Sequence, residues 1–309
     1  MRRVVVAGLL SATLLGACGA SAPFAGEGAV EVVLDNPAIN ESSGLARSQR
    51  RDDLLWTLND SGGATAVYGI TTDGRHVVTL RLVGMPFNLD WEDLASYSHE
   101  GEPWLLIGDI GDNGAIRPFV QLFRVPEPEV TWTSEGDVQQ INLRATSVIA
   151  AVYPDGPRDA ESLAVDADSH TAYILSKRDP QPRLYALPLD RRLPLAVMTD
   201  LGPVNLPRAA ADFEGDANRF NWITAMDFDD RQRHVLATSL LHAYRWTRAE
   251  GQSWAEAMAA PPAVFTLPDY PQIEAATFAR GTAAAFYLTS EQLPAPLARL
   301  PMIVPGAAP

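Results

Sequence analysis

The sequence predicts an all-β protein: a single β-propeller of five blades, with six possible. Most of the 309 residues have the pattern of short apolar strands separated by Gly, Pro, Asn and Asp, and few stretches have a helical period. A strand–turn–strand unit also recurs, and its successive copies begin 50 to 69 residues apart. That interval accommodates a four-stranded blade with its loops. A β-sandwich with additional hairpins is the alternative.

Four of the five predicted units open with an acidic residue followed by a first strand. The first copy is Glu41-Ser42-Ser43-Gly44-Leu45-Ala46, and looser copies begin at Glu92, Glu161 and Glu274, with a weaker one at Thr224. Apolar second strands follow at residues 54–60, 104–109, 172–177, 234–239 and 284–291, and third strands at 66–70, 121–125, 183–187 and 243–246. A spare strand at residues 30–34 is predicted to complete the last blade and close the ring, which removes an open sheet edge. A short helix is possible within residues 249–260.

The N-terminus has the pattern of a lipoprotein signal. Residues 1–17 join a basic start to an apolar stretch too short to span a membrane, and they end in Leu15-Gly16-Ala17-Cys18, which resembles a bacterial lipobox. We therefore expect residues 1–17 to be a signal peptide, Cys18 to carry lipid, 18–29 to be a linker and 30–309 to be the propeller. Gly19 favours an outer membrane location facing the periplasm in a Gram-negative cell.

The charge balance restricts the partners. The chain has 24 basic and 38 acidic residues, a formal net charge of -14. Such a surface repels phosphate backbones, so nucleic-acid binding is not expected. Cations, or neutral ligands, are favoured instead.

Propeller topology should gather the acids at one mouth of the channel. The first strand of each blade lines the channel and the second returns antiparallel to it, so openings of first strands and ends of second strands share a face. The predicted metal ligands are Glu41, Asp60, Glu92, Asp109, Glu161 and Glu274. Ca²⁺ accepts six to eight oxygen ligands and suits carboxylates from separate blades. The alternative is that these side chains accept backbone hydrogen bonds from neighbouring blades and bind no metal.

A second group is predicted to bind a ligand beside that metal. Its members are polar residues at strand ends or in the adjoining loops: Asn59, Asp112, Asn113, Arg158, Lys177 and Glu291. Turn formation alone could explain the Asn/Asp/Gly loops among them. Lys177 is the single lysine beside 23 arginines, and it could hold an anionic ligand, act as an internal counter-ion, or be an ordinary surface lysine.

The first third of the chain resembles a known group of proteins. The segment Glu41-Ser42-Ser43-Gly44-Leu45, the Leu-Trp-Thr-Leu-Asn-Asp strand, the hairpin at residues 68–74 and Asp90-Trp91-Glu92-Asp93-Leu94-Ala95 are similar to exported bacterial propellers of the SdiA-regulated and esterase-like phytase kind. The resemblance implies a calcium-binding propeller, sometimes with esterase or phosphoesterase activity, and it implicates Glu41, Glu92 and, by repeat position, Glu161. The aspartate-rich signature and basic phosphate pocket expected of a propeller phytase are not apparent.

Two functions remain open. The chain is either a lipid-anchored calcium-binding propeller that holds a small-molecule or envelope-protein ligand at its channel mouth, or a Ca²⁺-dependent hydrolase of esters, lactones or phosphoesters. The sequence contains no G-x-S-x-G, H-E-x-x-H or G-x-x-x-x-G-K pattern. Serine-hydrolase, zincin and P-loop chemistry are therefore not supported.

Overall fold

The structure is a computed structural model that describes residues 29–85, 88–132, 136–190, 194–209 and 213–302. The predicted signal peptide, Cys18 and most of the predicted linker lie outside the described residues. Among the residues described, no helix has the length and apolar character needed to cross a membrane.

The chain forms short strands almost throughout. The first half contains β1 (Val30–Val33), β2 (Ser42–Arg47), β3 (Leu54–Asn59), β4 (Ala66–Thr71), β5 (His76–Leu82), β6 (Trp91–His99), β7 (Glu102–Asp109), β8 (Val120–Pro126), β9 (Gln139–Leu143) and β10 (Ser147–Val152). The second half contains β11 (Ala160–Asp166), β12 (Thr171–Ser176), β13 (Arg183–Pro188), β14 (Ala196–Val197), β15 (Thr199–Pro203), α1 (Asn218–Asn221), β16 (Ile223–Phe228), β17 (His234–Ser239), β18 (His242–Thr247), α2 (Trp254–Met258), β19 (Ala263–Thr266), β20 (Ile273–Phe278), β21 (Ala285–Ser290) and β22 (Pro296–Pro301).

These strands form five sheets, which are the blades of a five-bladed β-propeller. From the channel outward the sheets are β2-β3-β4-β5-β9, β6-β7-β8-β10-β14, β11-β12-β13-β15, β16-β17-β18-β19 and β20-β21-β22-β1, numbered here blades 1 to 5. The inner strands β2, β6, β11, β16 and β20 pack against one another in a ring. The predicted helix within residues 249–260 is α2, which starts at a capping box formed by Ser253 and Glu256.

The N-terminal strand closes the ring as predicted. Strand β1 pairs antiparallel with β22, with Val30 opposite Arg299 and Val33 opposite Pro296. There is no sixth blade among the described residues. The two longest intervals between units, which begin at Glu92 and Glu161, leave room for one, but they contain β9 and β14 instead. These strands add to blades 1 and 2 as parallel fifth strands.

A β-bulge near the start of every inner strand sets the direction of the channel-facing side chains. The register between first and second strands skips one residue in each blade, and the skipped residues are Ser43, Glu92, Glu161, Thr224 and Glu274. A bulge bends its strand and re-aims the extra side chain. The predicted repeat of an acidic residue at the start of the inner strand is therefore present in blades 2, 3 and 5. The alignment of Glu41 with Glu92, however, is wrong by two residues. Ser43 occupies that position in blade 1.

Just beyond the bulges, the inner strands are in close contact with one another. A Cβ on Gly44 would lie 2.8 Å from the Cα atom of Asp93, so β2 and β6 can approach this closely only with glycine there. The carboxylate of Asp93 accepts backbone N–H groups of Leu163 at 2.8 Å and Met226 at 3.4 Å. One buried side chain thus joins blades 2, 3 and 4. Accepting backbone hydrogen bonds from neighbouring blades was the alternative role for the predicted metal ligands. Asp93, which is not one of those ligands, has this role.

Candidate functional site

Carboxylates from four blades gather at one end of the channel, and three of them stand at bulge positions. Glu92, Glu161 and Glu274 are buried at the bulge position. Asp60 and Glu291 follow the second strands of blades 1 and 5, and Asp90 precedes β6. We call these six residues with Lys177 the acidic mouth. The topology argument from the sequence correctly placed most of its members, although Asp90 was not among the predicted ligands.

Three carboxylates of the acidic mouth converge closely enough to share a cation. One oxygen from each of Asp60, Asp90 and Glu92 can be chosen so that all three lie within 4.8 Å of one another. Gly111 lies directly against them, since a Cβ there would be 2.2 Å from Glu92 Oε1 and 2.5 Å from Asp90 Oδ2. Only a residue without a side chain leaves this space open.

Hydrogen bonds fix the backbone at Asp60 and Glu92 and beside Asp90. The side-chain amide of Asn88 donates to the carbonyl oxygens of Asn59, at 3.1 Å, and Asp60, at 2.7 Å, while its Oδ1 accepts the N–H of Trp91 at 2.9 Å. Asn88 therefore ties the end of β3 to the start of β6. Ser43 Oγ donates to the backbone oxygen of Glu92 at 2.5 Å and lies 3.2 Å from Glu92 Oε2.

Lys177 is the internal counter-ion of the acidic mouth, which resolves the alternatives left open for it. It is 5% exposed, so it is not a surface lysine. Its ammonium group contacts the carboxylate of Glu161 and lies 3.5 Å from Glu274 Oε1. Burial alone would lower the pKa of Lys177, but the facing carboxylates of Glu161 and Glu274 hold it above its usual value.

Burial and mutual repulsion raise the pKa values of carboxyl groups in the acidic mouth. Burial and the neighbouring charge of Asp60 raise the pKa of Asp90 to about 6. Burial and the adjacent Glu274 raise the pKa of Glu291 to about 8. Burial, followed by repulsion from Glu161, raises the pKa of Glu92 well above its ordinary value. Without a cation, the acidic mouth therefore retains protons that isolated carboxyl groups would lose at neutral pH.

Other predicted residues are engaged in local structure. Asp109 pairs with Arg117 at 2.6 Å instead of joining the three convergent carboxylates. Asp112 accepts the N–H groups of Ile116 and Arg117, at 2.9 and 2.7 Å, as the cap of its loop. Arg158 pairs with Asp155 at 2.7 Å and Asp179 at 2.6 Å.

The last three predicted residues, Asn59, Asn113 and Glu41, lie around the edge of the acidic mouth. The Asn59 amide donates a hydrogen bond to the carbonyl oxygen of Ala38 at 2.7 Å, and the side-chain oxygen of Asn113 accepts a hydrogen bond from the Arg178 guanidinium. Glu41 is exposed, and its charge contributes to the raised pKa of Asp60 and Glu291, so it lies at the rim rather than inside the acidic mouth.

An aromatic side chain completes the rim where blade 4 lacks an acid. Trp222 stands two residues before the bulge at Thr224, the repeat position that holds Asp90 in blade 2. Its ring lies 5.9 Å from Lys177 Nζ and 4.5 Å from Arg178 Cζ. Neither Trp222 nor Asp90 was among the predicted site residues, because Glu41 was aligned with Glu92. Aligning Ser43 with Glu92 and Thr224 instead puts Glu41, Asp90 and Trp222 at one repeat position.

Comparison with known proteins identifies no family. No protein-family model matches the chain, and no curated protein matches it significantly. Among solved structures, it is similar to a luciferin-regenerating enzyme at 11% identity, with a TM-score of 0.48, covering 88% of this chain and 95% of that one. It is also similar to a gluconolactonase from Xanthomonas campestris at 14% identity, with a TM-score of 0.45, covering 84% and 71%. A nidogen/laminin complex matches at 12% identity, with a TM-score of 0.45, covering 82% and 73%. Structural similarities with TM-scores below 0.5 indicate nothing about the activity of this chain.

Proposed function

We propose that this propeller binds Ca²⁺ at the acidic mouth and holds a small-molecule or protein ligand beside it. The observation that carries the proposal is the convergence of Asp60, Asp90 and Glu92 oxygens within 4.8 Å around Gly111. All donors are carboxylate oxygens, which Ca²⁺ prefers. Lys177 offsets only part of the negative charge that these residues and Glu161, Glu274 and Glu291 bring together.

Calcium titration of the purified protein by calorimetry tests this proposal. Because the acidic mouth retains protons, Ca²⁺ binding should release them, and the observed heat should change with the ionisation enthalpy of the buffer. Glu92→Gln should weaken binding at least tenfold. Glu102→Gln, at the exposed start of β7, is the matched control and should bind as the wild type does. Absence of binding heat, together with an unchanged melting temperature in Ca²⁺, would contradict the proposal.

A Ca²⁺-dependent hydrolase of esters, lactones or phosphoesters is the second candidate. It is favoured by the pKa values of Asp90 and Glu291, about 6 and about 8, which bracket neutral pH as acid–base catalysis requires. A bound Ca²⁺ would supply polarisation of the substrate oxygen. Trp222, at the rim, would bind and orient the substrate. Hydrolysis of aryl ester, lactone and phosphoester substrates should require Ca²⁺, stop in chelator, and be lost in Glu291→Gln, which removes one of the two proposed acid–base groups. No turnover with any substrate would exclude hydrolysis of these classes and leave the binding function.

We also propose that the protein is exported and anchored by lipid on Cys18, in the outer membrane facing the periplasm. The support is the lipobox-like sequence before Cys18 and the glycine after it. Labelled palmitate should enter the wild type and not Cys18→Ser, and the variant should move from the membrane to the soluble fraction. An unlabelled, soluble wild-type protein would refute the anchor.

A further inference from the structure

Two histidines and an aspartate meet at the end of the propeller opposite the acidic mouth. His99 ends β6, His170 precedes β12 in the β11–β12 hairpin, and Asp190 follows β13. Inner strands run away from the acidic mouth, so these hairpin positions from blades 2 and 3 lie together at the far face. Ligand atoms of the three residues, one from each, lie within 4.8 Å of one another.

His170 has a nitrogen that no described residue satisfies. The residue is 3% exposed, and its Nδ1 lies 2.6 Å from Asp190 Oδ1. Its Nε2 is buried and has no hydrogen-bond partner among the described residues. Buried polar atoms rarely remain unsatisfied, so an unpartnered ring nitrogen calls for a ligand. Since a carboxylate fixes Nδ1 as the N–H, Nε2 carries the lone pair, which is how metal-binding histidines are commonly oriented.

His99 lies beside this nitrogen with its ring stacked on that of His170. The two ring centroids are 3.5 Å apart and the planes differ by 10°. Lone pairs in parallel rings do not converge on one point, so one ring must turn for both to bind one ion. No hydrogen bond holds the ring of His99 among the described residues, whereas Asp190 anchors His170. His99 is therefore the ring that can turn about its Cβ–Cγ bond.

We propose that His99 and His170, oriented by Asp190, form a second metal site that selects a transition ion such as Zn²⁺ over Ca²⁺. Imidazole nitrogens suit Zn²⁺, Ni²⁺ and Cu²⁺, whereas Ca²⁺ takes oxygen ligands. The guanidinium of Arg124 lies near His170, stacked 3.8 Å from the Trp104 ring, and its charge opposes a cation there. The site is independent of the acidic mouth, at the other end of the channel.

Zn²⁺ titration against a chromophoric chelator tests this site, in a Glu92→Gln background that weakens binding at the acidic mouth and with excess Ca²⁺ to occupy what remains there. We expect one Zn²⁺ per chain, unaffected by excess Ca²⁺, and a Co²⁺ form with visible absorption bands. His99→Ala should weaken Zn²⁺ binding at least tenfold, and Asp190→Asn should weaken it by about 10-fold to 100-fold. Arg124→Gln should tighten it several-fold by removing the opposing charge.

His234→Ala is the matched control, because His234 lies in blade 4 with its Nδ1 3.0 Å from Thr247 Oγ1. It should bind Zn²⁺ as the background protein does. Equal binding by the background protein and His99→Ala, or no binding by the background protein, would overturn the proposal. Either outcome leaves the calcium proposal intact, since Ca²⁺ titration of the wild type reports on the acidic mouth alone.

Discussion

Lys177 and Glu274 belong to blades 3 and 5, which are not neighbours in the ring, yet Lys177 Nζ lies 3.5 Å from Glu274 Oε1. The ammonium also contacts Glu161 of its own blade. The contact spans the channel at the level of the bulges, so the charge of one side chain links separate blades. Its energetic importance follows from burial, because Lys177 and Glu161 are both nearly inaccessible to water.

Lys177→Met should destabilise the metal-free protein by about 3 kcal/mol, since removing one partner of a buried pair leaves the other charge uncompensated. The same variant should bind Ca²⁺ more tightly, because a competing cation is gone. Urea unfolding in chelator and calcium calorimetry measure the two effects. Arg51→Met, which removes a surface pair with Asp53, should cost about 1 kcal/mol or less. Equal losses in both variants would show that Lys177 is not the counter-ion of the acidic mouth.

Gly111→Ala should abolish calcium binding while the propeller still folds. The new methyl group would occupy the space between Glu92 Oε1 and Asp90 Oδ2, 2.2 and 2.5 Å away. Gly114→Ala in the same loop is the control, because its Cβ would come no closer than 3.6 Å to Ile116. Calorimetry measures affinity, and circular dichroism checks the fold. Undiminished Ca²⁺ affinity in Gly111→Ala would place the cation elsewhere.

Stability of the metal-free protein should fall as pH rises from about 5 to about 8. Burial and Glu274 raise the pKa of Glu291 from 4.5 to about 8 in the folded chain. A group that holds its proton more tightly when folded stabilises the fold fully below its unfolded pKa, and loses that contribution as pH rises through the folded pKa. Melting temperatures in chelator across this range test the sign, and Glu291→Gln should flatten the profile. A melting temperature that rises over this interval in chelator would be incompatible with this explanation.

Asp227→Asn should destabilise the ring by about 3 kcal/mol. Its carboxylate contacts the guanidinium of Arg47 and accepts hydrogen bonds from Thr277 Oγ1 at 2.8 Å and Phe278 N–H at 3.0 Å, so it joins blades 4, 1 and 5. Arg47 is 4% exposed and loses half of its paired charge in the variant. Urea denaturation gives the free energy. Asp52→Asn, whose pair with Arg280 is on the surface, should change it by about 1 kcal/mol or less. A similar small change for Asp227→Asn would mean that the interblade contact does not stabilise the ring.

Much of the fold could be predicted because its signals are local. Strand alternation, turn residues and a recurring acid before an apolar strand predicted the blades. The spare N-terminal strand predicted that β1 closes the ring. The same repeat placed Glu92, Glu161 and Glu274 together. The sixth blade was a wrong alternative because the sequence does not say whether an extra strand starts a new sheet or extends an existing one, as β9 does.

The sequence by itself determined that acids from distant segments face one channel, since that depends only on strand order and direction. Tertiary structure alone decided which of them converge. The bulge residue is Ser43 in blade 1 and Glu92 in blade 2, so Ser43 rather than Glu41 is the counterpart of Glu92, and Asp90, two residues earlier, converges with Glu92. Tertiary structure also decided the charge pairs. Asp109 pairs with Arg117, Arg158 pairs with Asp155 and Asp179, and Lys177 is buried among glutamates. The physical reason is that charge pairing depends on distances of a few ångströms between segments far apart in the chain, and composition and spacing do not carry those distances.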